Sequence, residues 1–190
     1  MTLARNLEIA ESAISNVSKL GIISSNKITH RIKASGGIQN VIGTGQGMRT
    51  GILGVAGIDL QTLRGMPPAG LRLTAGRAAL SKSGNCGELA MLAAIDMIDT
   101  GGTPVHLMWF TTPGYDHMWA TIGVHTGWQA DNIRSWGAEA VWVDPWQTDG
   151  GIAFSIEDFV AGKVRNLNAI FNCNTIERVE AGGIQGMVVG

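Results

Sequence analysis

The strongest constraint on the fold is one helical pattern followed closely by three short strand patterns. Residues 86–98 carry apolar side chains at helical spacing, and the helix is stopped by the glycine pair that begins at Gly101. Strand patterns follow at Pro104–Phe110, His117–Val124 and Ala140–Val143. Most links between these strands are too short for the crossover helices that parallel neighbours need. The sequence therefore predicts an α+β fold, with one central helix against an antiparallel sheet.

The segments around this core give weaker patterns. Residues 3–20 follow the helical period and end at Gly21, which predicts an amphipathic helix. Residues 36–57 interleave glycine with Ile, Val and Leu, which favours short strands or packed loops. Met66–Gly70 contains two prolines and is predicted to be a loop. Phe154–Val160 and Asn168–Ile176 are predicted to be a short helix and a further strand.

Composition narrows the class of protein. The 190 residues are 45% hydrophobic and 15% charged, with a net charge of −1 and no Lys/Arg block. This balance argues against nucleic acid as the main partner and against a polybasic membrane anchor. The chain has no apolar run of membrane-spanning length, so we expect no stable membrane insertion. The cysteines are Cys86 and Cys173, and none of the Cys/His spacings is typical of zinc, so we expect no metal and no cofactor.

Three residues have the types and the order of a thiol-based catalytic site. Cys86 opens the predicted helix, where unpaired N–H groups stabilise both a thiolate and a developing oxyanion. His117 begins a strand and is predicted to project away from the apolar face, as a general base would. Asp144 ends the next strand, where a carboxylate can orient the imidazole. We therefore predict a catalytic triad of Cys86, His117 and Asp144.

Neighbouring residues extend this candidate site. Asn85 and Gly87 flank the thiol and are predicted to help bind an oxyanion, while Trp119 and Trp146 are predicted to line the cleft. Two carboxylates compete with Asp144 for its role. Glu88 lies in the first helical turn, where capping explains it, and Asp116 is predicted to point to the opposite face from His117.

The segments 84–90, 102–105, 116–119 and 142–146 together resemble the papain-like and transglutaminase-like cysteine enzymes. The resemblance covers about residues 80–150 and implies that a helix-borne Cys, a strand-borne His and an Asp on the next strand form the site. It also implies an inserted loop at 125–139. We expect one domain, 1–190, with a divergent N-terminal part, 1–70, and a catalytic core, 71–190.

The resemblance implies a cysteine hydrolase that acts on an amide of a protein. Compact members with divergent N-terminal halves resemble bacterial effectors and toxins. Deamidation of Gln or Asn is the favoured reaction, because the Cys and His segments resemble transglutaminases more than proteases and the small chain leaves little room for a long peptide groove. A papain-like protease, a transglutaminase and a peptidoglycan amidase remain open, because all can pass through the same thioester. A non-catalytic binding module on the same scaffold is the alternative from another class.

The expected partners follow from that class. They are a protein substrate in a host or rival cell, and a chaperone or an immunity protein in the producing cell. The N-terminus lacks the compact apolar region of a Sec signal peptide. We therefore expect a protein that is cytoplasmic in its producer and is delivered to a target cell without a cleavable signal.

Overall fold

The chain has an α+β fold built on a five-stranded antiparallel sheet. A computed structural model describes residues 1–24, 67–110, 117–129, 132–147, 150–164 and 184–190. The helices in these ranges are α1 (Leu3–Lys19), α2 (Pro68–Ser81), α3 (Cys86–Asp99) and α4 (Ile156–Val160), with a 3₁₀ turn at Ile133–Trp136. The strands are β1 (Val105–Phe110), β2 (Met118–Ile122), β3 (Val141–Asp144), β4 (Ile152–Ser155) and β5 (Ile184–Val188), arranged in the order β4-β3-β2-β1-β5.

The predicted α+β class and its main elements are confirmed. Helix α1 ends before Gly21, whose φ is +64°, and α3 ends at a Thr100 cap. Strands β1, β2 and β3 lie within a few residues of their predicted bounds, and each pairs antiparallel with its neighbour. The close succession of these strands along the chain produces the antiparallel pairing that the sequence predicts.

Two predictions outside the central pattern need correction, and one strand was missed. The loop predicted at Met66–Gly70 is wrong from Pro68 onward, because Pro68 begins α2, where the fixed φ of proline suits a first helical turn. The helix predicted from Phe154 starts at Ile156, since Phe154 pairs with Trp142 in β4. Strand β5, at the other edge of the sheet, was not predicted. The patterns at 36–57 and 168–176 lie outside the described residues.

The first face of the sheet packs against α1 and α3. Its core contains apolar residues from both helices and from alternate positions of the strands, including Ile9, Met91, Leu107, Ala120 and Val143. Each of these side chains is almost fully buried. Helix α1 is therefore a structural layer of the same core that holds α3.

The opposite face of the sheet is covered as well, by a core rich in aromatic rings. Trp119 and Trp142 on the sheet pack with Trp136 of the 3₁₀ turn and with Phe154 and Phe159. The alternation along β2 predicts that His117 projects away from the apolar face, but it does not predict this second core. Burial of both faces explains why every residue of β1, β2 and β3 is buried.

Among the helices of the described ranges, none is both long enough and apolar enough to cross a membrane.

Candidate active site

Cys86 is the first residue of α3 and is buried, with 5% of its surface exposed. The helix start is fixed by Glu88, whose carboxylate accepts a hydrogen bond of 2.8 Å from the backbone N–H of Asn85. Glu88 therefore has the capping role that its place in the first turn predicts. Its carboxylate caps the helix next to the thiol, so a different acid contacts the imidazole.

His117 lies beside Asp144, although 27 residues separate them in the chain. The Nε2 atom of His117 is 2.6 Å from Oδ2 of Asp144, and the two side chains are 4% and 0% exposed. The other carboxylate oxygen, Oδ1, accepts hydrogen bonds from the backbone N–H groups of Trp146 (3.0 Å) and Gln147 (3.2 Å). These donors orient the carboxylate, so one oxygen faces the imidazole and the other closes the turn after β3.

Cys86 belongs to the same cluster, because it lies close enough to His117 to favour the charged form of the imidazole. Burial alone lowers the pKa of His117. The charge and hydrogen bond of Asp144, together with the contact to Cys86, outweigh burial and raise that pKa to about 10. His117 is therefore a protonated imidazolium at neutral pH.

A buried serine connects the helix that carries Cys86 to the turn that follows Asp144. The Ser24 hydroxyl donates to Oδ1 of Asn85 (3.3 Å) and accepts from the indole N–H of Trp146 (3.0 Å). The backbone beside it is also paired, since Ile23 donates to the carbonyl of Lys82 at 2.9 Å. Ser24 thus joins the residue before Cys86 to the residue two positions after Asp144. No sequence pattern marks Ser24, because its partners are distant in the chain.

The structure brings together most of the predicted site residues. Asn85 and Gly87 flank Cys86 and are buried, and Trp146 lies against His117 with ring centroids 5.2 Å apart. Trp119 is placed differently from the prediction. It is fully buried in the second core, so it packs behind His117 instead of facing an open cleft. His117 likewise is buried, because aromatic residues cover the face to which it projects.

A pocket of about 330 Å³ lies next to the site. Its lining includes Ser24, Leu89, which is one helical turn from Cys86, and Pro145, which follows Asp144; Val17, Ile22 and Gly150 also contribute. The competing carboxylate Asp116 and the second cysteine, Cys173, lie outside the described residues.

Comparison with protein-family models, with curated proteins and with solved structures gives no match to this chain. Any assignment of function therefore depends on the chemistry of the Cys86, His117 and Asp144 cluster.

Proposed function

We propose that this protein is a cysteine-dependent amide hydrolase with the triad Cys86, His117 and Asp144. The observation that carries the proposal is the buried cluster in which Asp144 contacts His117 at 2.6 Å and Cys86 is close enough to act on the charge of His117. A protonated imidazole beside a thiol favours the thiolate, which is the nucleophilic form. A papain-like or transglutaminase-like core, with the cysteine helix against the sheet, is the finer fold assignment that goes with this function.

Each residue then has a definite task. The Cys86 thiolate attacks the amide carbon, and the N–H groups at the start of α3 stabilise the oxyanion. His117 donates its proton to the leaving nitrogen, and ammonia departs from a primary amide to leave a thioester. Neutral His117 then takes a proton from water, whose oxygen attacks the thioester. The carboxylic acid is released, and the thiolate and imidazolium are restored, while Asp144 keeps the imidazole oriented.

We infer that the favoured substrate is the side-chain amide of a Gln or Asn in a protein. The site supports this choice because Cys86, His117 and Trp146 are each no more than 5% exposed. A carboxamide on a flexible stem can reach such a thiol more easily than an extended backbone, which needs a long groove. The expected setting is a bacterial effector or toxin delivered into a host or rival cell.

Mass spectrometry of treated proteomes tests the reaction. Bacterial and eukaryotic lysates are incubated with the wild-type protein, with Cys86→Ala or with Cys173→Ala. We expect Gln or Asn residues that gain about one dalton with the wild type and Cys173→Ala only. Cross-links would indicate transglutamination and new chain ends proteolysis, while release of stem-peptide fragments from purified sacculi would indicate a peptidoglycan amidase. Equal effects of wild type and Cys86→Ala in every assay would contradict a cysteine enzyme and favour a binding module.

A further inference from the structure

The imidazole of His117 meets a different kind of neighbour at its edges and at its faces. At its edge, Nε2 takes the polar contact with Asp144, and Cys86 also acts on the charge of the ring. The indole of Trp119 lies nearly parallel to the imidazole plane, with an interplanar angle of 15° and ring centroids 6.1 Å apart. An aromatic face at this separation attracts a cation through its quadrupole.

Trp119 is itself held rigidly. Its indole stacks on Trp142 with centroids 4.1 Å apart and an angle of 4°, and Trp142 continues the stack to Phe154. Trp119 is fully buried, and among the described residues its indole N–H has no hydrogen-bond partner. The side chain therefore contributes through its ring face, and that face is directed by neighbours on β3 and β4.

We propose that Trp119 is a positioning residue that holds His117 protonated and aimed at Asp144 through the face of its indole ring. A buried cation loses its hydration, and a polarisable aromatic face replaces part of it without competing for the ring nitrogens. Trp119 thereby stabilises the charge, and its near-parallel contact restricts rotation of the imidazole. The importance of Trp119 for catalysis rests on the proposed function, whereas its effect on the charge of His117 does not.

Other groups also act on His117 or lie beside it. Asp144 at the end of β3 and Cys86 at the start of α3 both favour the imidazolium. Glu88, the acidic residue in the first turn of α3, binds the Asn85 N–H. Trp146 is uncharged and meets the imidazole at 56°, a tilted contact that differs from the stack with Trp119. A change confined to Trp119 leaves all four of these residues in place.

The test is an NMR titration of the histidine rings in the full chain. His117 is assigned with a His117→Gln variant, and its pKa is followed in the wild type, in Trp119→Phe and in Trp119→Leu. We expect Trp119→Leu to lower the pKa of His117 by about half a unit or more, and Trp119→Phe to lower it less, because tryptophan is the strongest cation-binding ring. The matched controls are Trp136→Phe and Trp136→Leu, which remove a buried ring whose described ring contacts are with Trp128 and Trp142.

The outcomes separate the two proposals. If Trp119→Leu folds and its His117 pKa equals that of Trp136→Leu, Trp119 has no such role. If Trp119→Leu does not fold, the phenylalanine pair decides, and equal pKa values in Trp119→Phe and Trp136→Phe overturn the inference. If amide hydrolysis is intact but the His117 pKa is the same in the Trp119 and Trp136 variants, only this inference is contradicted. A confirmed shift in a protein without hydrolysis would contradict only the proposed function.

Discussion

At the residue scale, the site depends on the coupling between His117 and Asp144. Asp144 raises the pKa of His117 against the lowering effect of burial, so the imidazolium persists until about pH 10. The leaving nitrogen needs that proton, and amide hydrolysis should therefore decline on the alkaline side as pH passes through about 10. A rate profile between pH 5 and 11 measures this limb.

Asp144→Asn should move the same limb to lower pH. The substitution removes the negative charge but keeps a polar group of similar size, so burial then dominates the pKa of His117 and lowers it. The rate at neutral pH should fall by about 10² to 10⁴, as for a mis-oriented imidazole. Asp158→Asn is the control, because Asp158 is a half-exposed acid on α4 that contacts Ser155 and Lys163. An unchanged alkaline limb in Asp144→Asn would contradict the assigned coupling.

The candidate triad could be predicted from the sequence, while its surroundings could not. Cys86, His117 and Asp144 lie at the ends of elements, and their residue types and order can be read directly from the sequence. Trp119 was placed in a cleft because the alternation along β2 resembles a half-exposed strand. Its actual burial depends on the segment after β2, where Trp128 and Trp136 fold back over the sheet. This burial comes from contacts between residues that are far apart in the sequence. The contact of Ser24 with Trp146 is of the same kind.

At the element scale, Gly123 fixes the connection between β2 and α1. Its φ is +79°, and a Cβ added there would collide with the Asn6 amide and lie 2.6 Å from the carbonyl of Glu139. Asn6 is buried and donates to that carbonyl at 2.8 Å, so neither neighbour can withdraw cheaply. We expect Gly123→Ala to lower the free energy of unfolding by about 3 kcal/mol or more.

The matched control for this prediction is Gly101→Ala. Gly101 has a similar φ of +86°, but an added Cβ would meet nothing within 4 Å. Backbone strain alone should cost about 1–2 kcal/mol there. Urea denaturation of both variants measures the difference, and equal losses would show that the contact with Asn6 and Glu139 does not matter.

The buried His106 on β1 should make the stability of the fold depend on pH. Burial lowers its pKa below the ordinary 6.5, and its ring meets Trp128 edge-on at 5.5 Å. The folded state thus holds it neutral more strongly than the unfolded chain does. Its contribution to stability is present above the unfolded pKa and is lost as pH falls toward the folded one. We expect the wild type to lose more stability than His106→Phe between pH 7 and pH 5, measured by urea denaturation.

The comparison between the two proteins isolates His106. The raised pKa of His117 has the opposite pH dependence, but it is common to both proteins and cancels in their difference. Equal losses of stability in wild type and His106→Phe would show that His106 takes up a proton as readily in the folded state as in the unfolded chain.

At the scale of the whole molecule, the N-terminal helix is part of the core that holds the candidate site. Ile9 is 2% exposed and belongs to the same cluster as Met91 of α3 and Val143 of β3. Ile9→Ala should therefore lower the stability of the entire fold by about 2–5 kcal/mol in a single unfolding transition. An N-terminal part that folded independently would instead leave the transition of the remainder unchanged.

Leu80→Ala is the control for this prediction. Leu80 is an apolar helix residue like Ile9, but it lies on α2 and is 85% exposed. Its truncation should change the free energy of unfolding by no more than about 0.5 kcal/mol. Urea denaturation followed by both tryptophan fluorescence and circular dichroism checks the size of each effect and whether the transition is single.

The central claim is that His117 activates the thiol of Cys86, and alkylation at low pH tests it most directly. An ordinary cysteine with a pKa near 8.5 is under about 1% thiolate at pH 6. In a Cys173→Ala background, iodoacetamide should alkylate Cys86 at pH 6 at least about tenfold faster when His117 is present than in His117→Ala. Equal rates in the two proteins, each rising only as pH approaches 8.5, would contradict the account.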